Sequence, residues 1–141
     1  MKKLLFALPL MAILFFSSCT VEDEVDPNIA SQIVGTYSMT DYKYHTSTED
    51  ISLKGTAVSQ NTITISRVDD THVNVVTNYP DSPKSNDSDS NVLVETSGED
   101  FKLSKNYTNS TVKGTLSTSL RTIAYDVDYT NGDYVYLKGE K

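Results

Sequence analysis

From residue 34 onward, apolar positions recur at every second residue with polar positions between them. That period matches a strand with one face buried and the other in water. Residues 61–68 show it most cleanly, with Ile63 and Ile65 set against Thr62, Thr64 and Ser66. Asp69-Asp70-Thr71 supplies a turn, and residues 72–79 return with Val73 and Val75 on one face. The two segments predict a hairpin. Residues 34–45 predict a long first strand whose apolar side changes midway, from Tyr37 and Met39 to Tyr42 and Tyr44. A bulge or sharp bend inside the strand accounts for such a change, and lets one strand serve two parts of a sheet. Residues 51–57 predict a weaker second strand carrying Ile51 and Leu53.

Residues 80–91 interrupt the pattern. Pro80 and Pro83 remove ladder donors, and Ser85-Asn86-Asp87-Ser88-Asp89-Ser90-Asn91 lacks apolar alternation. This stretch predicts a mobile exposed loop. Order resumes with Val92 and Val94, turns at Gly98-Glu99-Asp100, and returns with Phe101 and Leu103. Residues 112–117 and 120–129 predict two more strands, the second with Ile123, Tyr125, Val127 and Tyr129 along one side. Asn131-Gly132 is a strong hairpin signal, and residues 134–139 close the chain. Helical periodicity is confined to one short turn, where Asp26 can cap, Pro27 fits the first position, and Ile29 and Ile33 share a face.

The expected fold class is all-β, an antiparallel up-and-down barrel of about eight strands, because closing a meander removes its exposed edges. An immunoglobulin-like β-sandwich is the alternative, since about seven short strands suffice for it.

The segment before the strands has a different character. Lys2 and Lys3 precede an apolar run from Leu4 to Phe16, and Ser17 and Ser18 follow it. Charge, apolar run and small residues are the three parts of a secretory signal. The run is about 13 residues, short of the roughly 20 that cross a bilayer as a helix. Phe16-Ser17-Ser18-Cys19 resembles a bacterial lipobox. That resemblance implies that Cys19 becomes the first mature residue and carries a diacylglycerol, with a further acyl chain such as palmitate on its amine. Several chains give stable anchoring where one does not. Thr20-Val21-Glu22-Asp23-Glu24-Val25-Asp26 then forms an acidic tether. Acidic residues at that place resemble a surface-export signal of some Gram-negative lipoproteins. The expected organisation is a signal peptide over 1–18, a lipidated tether with a short helical turn over 19–32, and the β-barrel domain over 33–141. The expected location is the outer membrane, with the domain at the cell surface rather than facing the periplasm.

Composition narrows the partners. The chain has 12 Lys and Arg against 19 Asp and Glu, a net charge of −7. Loss of Lys2 and Lys3 with the signal makes the mature chain more acidic still. Nucleic acid is disfavoured as a partner, because it calls for a basic patch. Cys19 is the single cysteine, so the chain has no intramolecular disulfide and no multi-cysteine metal site. The chain has no Trp, and Phe101 is the one Phe beyond the signal, so nine tyrosines carry the aromatic surface.

Ile33-Val34-Gly35-Thr36-Tyr37 follows the helical turn and opens the first strand. It resembles the Gly-x-Trp start of lipocalins, with Tyr37 in place of the Trp. The strand count and the Tyr-rich closing hairpin are similar to the lipocalin-like (calycin-like) domains of bacterial lipoproteins. The resemblance covers residues 27–141 and implies a barrel around a cavity, with small apolar ligands. Family members often pack a late Arg over the Trp, and the late candidate in this chain is Arg121, at the opening of its strand.

Candidate chemistry is sparse. Asp87, Asp89 and Asn91 have the spacing of the first half of a calcium loop, but Val92 and Gly98 stand where Gly and Glu are required. A flexible acidic loop is the expectation. His45 and His72 are the two imidazoles and show no zinc spacing. Asp126 and Asp128 share a strand face as a carboxylate pair, which reads as a polar outer face rather than a glycosidase site. No Gly-x-Ser-x-Gly elbow occurs. No catalytic residue, metal or cofactor is assigned. Tyr37, Tyr125, Tyr129, Tyr134 and Tyr136 are the candidate ligand-binding residues, drawn together if the first and last strands pair, although ordinary cross-strand ladders suit them equally. The expected function is that of a membrane-anchored, non-enzymatic lipoprotein binding a small apolar or amphipathic ligand. The alternative is a surface module touching a protein or glycan through loops and exposed tyrosines.

Overall fold

The structure is a computed structural model and describes residues 28–79 and 86–141. The signal segment, Cys19, the acidic tether and the Asp26–Pro27 helix start lie outside them, as do Pro80 and Pro83. The described chain folds as α1 (Ile29–Ile33), β1 (Gly35–His45), β2 (Asp50–Lys54), a 3-10 turn (Gly55–Ala57), β3 (Thr62–Arg67) and β4 (His72–Asn78). It continues as β5 (Asp87–Ser97), β6 (Asp100–Asn106), β7 (Ser110–Ser117), β8 (Thr122–Tyr129) and β9 (Tyr134–Glu140).

Eight strands, β1 and β3 through β9, form a closed antiparallel up-and-down barrel, with β9 returning to pair with β1. The sheet is single and closed, so the sandwich alternative does not apply. β2 is the extra strand. It pairs with β1 over Asp41–His45, whereas β3 pairs with Gly35–Ser38 along the same edge of β1. One long strand thus serves two successive partners.

A bulge makes this arrangement consistent with a single interior. Met39 lies opposite Gly139 and Asp41 opposite Lys138, so Thr40 is the extra residue. The bulge restores the phase of the strand beyond it. Tyr42 and Tyr44 pair with Leu137 and Val135 and so share the inner side with Tyr37 and Met39. The midway change of apolar side therefore reflects a bulge, not a strand with two wet faces.

The interior is filled by the alternating aliphatic residues: Ile63 and Ile65, Val73 and Val75, Val92 and Val94 are all buried, as are Leu103, Val112 and Ile123. Each such side chain contributes about 1.5–3 kcal/mol when withdrawn from water. Gly139 stands opposite Met39, where a Cβ would meet the Ser38 carbonyl oxygen at 3.1 Å and Tyr37 Cβ at 3.2 Å. Glycine lets β1 and β9 approach at the closure.

One end of the barrel is plugged by α1. Its N-cap is Asn28, two residues later than the expected Asp26, and its turn is part of the core: Ile29, Ala30 and Ile33 are buried. Arg67 Nε donates to Asn28 Oδ1 at 3.1 Å, and the Ala30 amide donates to the Asp70 carbonyl at 3.0 Å. Tyr37 is buried at this end, with its hydroxyl donating to the Ile33 carbonyl at 2.9 Å. The cation over its ring is Lys141, whose Nζ lies 5.6 Å from the ring centroid and donates to the Val34 carbonyl at 2.8 Å.

The expected loop over 80–91 is corrected in its second half. Asp87–Asn91 is strand, the start of β5, and pairs with β4. The stretch lacks apolar alternation because its inward side chains line a polar cavity instead of the apolar core.

Candidate functional site

A second bulge builds the site. Val73 pairs with Val92, but Val75 pairs with Asp89, so Ser90 and Asn91 together stand opposite Asn74. Asn91 takes a left-handed backbone (φ 54), and its amide donates to Asn74 Oδ1 at 3.1 Å. Asparagine tolerates that region better than most residues. In a regular strand, Asp89 and Val92 would point to opposite faces, since they are three apart. The bulge brings both inside, Val92 into the core and Asp89 into the unplugged half of the barrel.

That half holds an open cavity of about 460 Å³. Val75, Val127, Val135 and Leu137 form its apolar part. Asp87, Asp89, Tyr79, Tyr107, Tyr125 and Tyr129 form its polar and aromatic wall, with residues 108–110 at the rim. Tyr125 is 1% exposed, and its hydroxyl donates to Asp89 Oδ2 at 2.7 Å. The Tyr107 hydroxyl donates to Asp89 Oδ1 at 2.8 Å. One carboxylate thus satisfies both hydroxyls, and the buried one meets the requirement that interior polar groups be paired. Thr77, the buried polar residue of β4, donates from Oγ1 to the Asp87 carbonyl at 3.3 Å. Tyr79 meets the edge of Tyr42, with ring centroids 5.6 Å apart.

The cavity tyrosines are held neutral. Burial, then the charge of Asp89, pushes Tyr125 far above its ordinary value. Burial and the hydrogen bond to Asp89 push Tyr107 up to about 12. Burial also raises Tyr79 and Tyr129, with Asp87 adding to both. Desolvation and a nearby anion both disfavour the phenolate.

The five tyrosines singled out in the sequence are divided among three places. Tyr125 and Tyr129 line the cavity. Tyr37 sits at the plugged end under Lys141. Tyr134 and Tyr136 lie on the outer face of β9, alternate to the inward Val135 and Leu137. His45 stacks on Tyr134 at 5.1 Å, and Lys43 Nζ lies 5.3 Å from the Tyr136 ring centroid. β1 and β9 do pair, but residues one apart on a strand cannot share a face. Tyr79, Tyr107, Asp87 and Asp89 were not among those candidates. The spacing of Asp87 and Asp89 was a visible signal, but it pointed to calcium in a loop.

The remaining candidates occupy ordinary places. Asp69 Oδ1 accepts from the Thr71 and His72 amides, each at 2.8 Å, and lies 3.0 Å from His72 Nδ1, which fastens the β3–β4 turn. Asp126 and Asp128 are on the outer face of β8, where burial and then Asp128 raise the Asp126 carboxyl. Asp128 lies 3.4 Å from Lys113 Nζ. Among the described residues no group of three or more His, Cys, Asp or Glu could hold a metal ion. Also among them, no helix is long and apolar enough to cross a membrane.

Comparison of the chain with family models, with curated proteins and with solved structures found no match.

Proposed function

We propose that this chain is a lipid-anchored binding protein of lipocalin-like type, which holds a small amphipathic ligand in the open half of its barrel without catalysing a reaction. The cavity carries this reading: about 460 Å³ of space with an apolar part beside a polar, aromatic wall. Ligand sites of small molecules combine an apolar lining with a few placed polar groups. The plug at the opposite end supports it further, because α1 closes one mouth and leaves a blind pocket rather than a channel. The anchor rests on the lipobox-like Phe16-Ser17-Ser18-Cys19, and the outer-membrane, surface-exposed location rests on the acidic tether after it.

Native mass spectrometry on the protein extracted from its host's membranes tests both parts separately. A reproducible noncovalent mass that organic extraction removes is the expected result for the cavity. A bare chain overturns the ligand reading in favour of a surface interaction module using the outward Tyr134 and Tyr136. Under denaturing conditions, the expected chain starts at Cys19 and carries acyl mass; an unacylated chain retaining residues 1–18 overturns the anchor. Proteolysis of the domain on intact cells is expected for surface display, and protection until the outer membrane is broken overturns it.

A further inference from the structure

The charged groups of the cavity wall accept hydrogen bonds, and its remaining donors are neutral. The carboxylates of Asp87 and Asp89 are acceptors when ionised. Tyr107 and Tyr125 have already committed their hydroxyl protons to Asp89, so neither has a proton to give a ligand. Among the described residues that line the cavity, none is Lys, Arg or His. Lys105, on the inward row of β6, is the cation nearest this wall, and it stands behind the lining, not in it. Its Nζ donates to the Ser90 carbonyl and lies 4.5 Å from the Tyr107 ring centroid. The donors left are neutral: the hydroxyls and amide of Thr108, Asn109 and Ser110 at the rim, with Ser88, Tyr79 and Tyr129.

Such a wall suits a positive head group. An ammonium donates where this surface accepts, and charge-assisted bonds to carboxylate are the strong ones. The rings of Tyr79 and Tyr129 add faces that attract a cation, whereas that of Tyr107 already carries Lys105. A carboxylate head meets the reverse: two like charges, neutral donors with no cation among the described lining residues, and an acidic protein as a whole. Next to the acidic wall, Val75, Val127, Val135 and Leu137 provide apolar surface for the remainder of the molecule. The volume is toward the small end of the roughly 300–1,000 Å³ of ligand pockets, which favours a compact molecule over a long acyl chain.

We propose that the cavity selects small amphiphiles with a cationic amine head and rejects those with a carboxylate head, fatty acids included. This rests on the reading of the cavity as a ligand site and names the class of its ligand.

Three near-isosteric probes test the selection: 3-phenylpropylamine, 3-phenylpropanol and 3-phenylpropionate. Each is titrated calorimetrically into the full chain held in phosphatidylcholine nanodiscs, with empty nanodiscs as the blank. The amine is expected to bind at least tenfold more tightly than the alcohol, with the propionate weakest. Asp87→Asn is expected to bring the amine to within a fewfold of the alcohol. Asp87 is exposed, so this variant keeps the fold; Asp89→Asn, checked for native circular dichroism, is the second. If the alcohol binds and the amine has no advantage, or the propionate binds best, the amine class is overturned and the ligand site stands. An amine preference that survives both substitutions also overturns it. If none of the three binds at millimolar concentration, the ligand site falls and the amine class with it.

Discussion

Asp89 accepts the hydroxyl proton of Tyr125 at 2.7 Å across the barrel, 36 residues apart in sequence. The Tyr125 ring is buried, so this bond decides whether an interior hydroxyl is satisfied or stranded. Asp89→Ala strands it, and a buried unpaired hydroxyl costs about 1–3 kcal/mol. Tyr125→Phe removes the hydroxyl itself and is expected to cost less, near 1 kcal/mol, since Asp89 keeps Tyr107. In the Asp89→Ala background, Tyr125→Phe is expected to be neutral or stabilising. Urea unfolding of the two single variants and the double gives the coupling, and simple additivity would exclude the bond as drawn.

The bulge at Asn91 is the local device that turns Asp89 inward. Asn91→Gly keeps the left-handed backbone and is expected to stay within about 0.5 kcal/mol of the parent. Asn91→Val places a β-branched side chain at φ 54 and is expected to cost about 1–2 kcal/mol. Equal stabilities in thermal or urea unfolding would contradict a bulge at this position.

The five-residue helix is too short to persist by itself. It holds because Ile29, Ala30 and Ile33 close the core. Ile33→Ala is expected to lose about 2–5 kcal/mol, the range for emptying a buried aliphatic site. Substituting exposed Ser31 by Ala is expected to change little. An effect below about 1 kcal/mol for Ile33→Ala would place the helix in the tether rather than in the barrel.

Alkaline pH should unfold the protein through its tyrosines. Tyr42 and Tyr107 are pushed up to about 12 and Tyr125 further, so the folded state holds these protons more tightly than the unfolded chain. Their contribution is complete below the ordinary tyrosine value near 10 and is lost as pH rises from there through about 12. The absorbance of phenolate is expected to lag that of free tyrosine and then to rise together with loss of β circular dichroism. Ionisation of every tyrosine near pH 10 with the fold intact would contradict the burial described.

Much of the barrel was legible along the chain, because period-two alternation is local. Ile63, Ile65, Val73 and Val75 declare an inner face regardless of what they pack against, and Asn131-Gly132 declares its turn. Even the bulge in β1 left a trace, as the inward set passed from Met39 to Tyr42. The site was less legible. Asp87 and Asp89 look like a solvated loop, since alternation marks only strands whose inward residues are apolar. Their place follows from pairing with β4, and from a bulge that acts only where β5 meets that partner. The tyrosines failed as a group for a related reason. Composition shows that Tyr carries the aromatic surface, but one position along a strand moves a ring from the cavity to the outer wall. Residue type and strand period are properties of neighbouring residues. Which inward residues meet a packed plug and which meet an open mouth depends on closure of β9 onto β1 and on the end that α1 fills, and those are set by contacts between residues far apart in the chain.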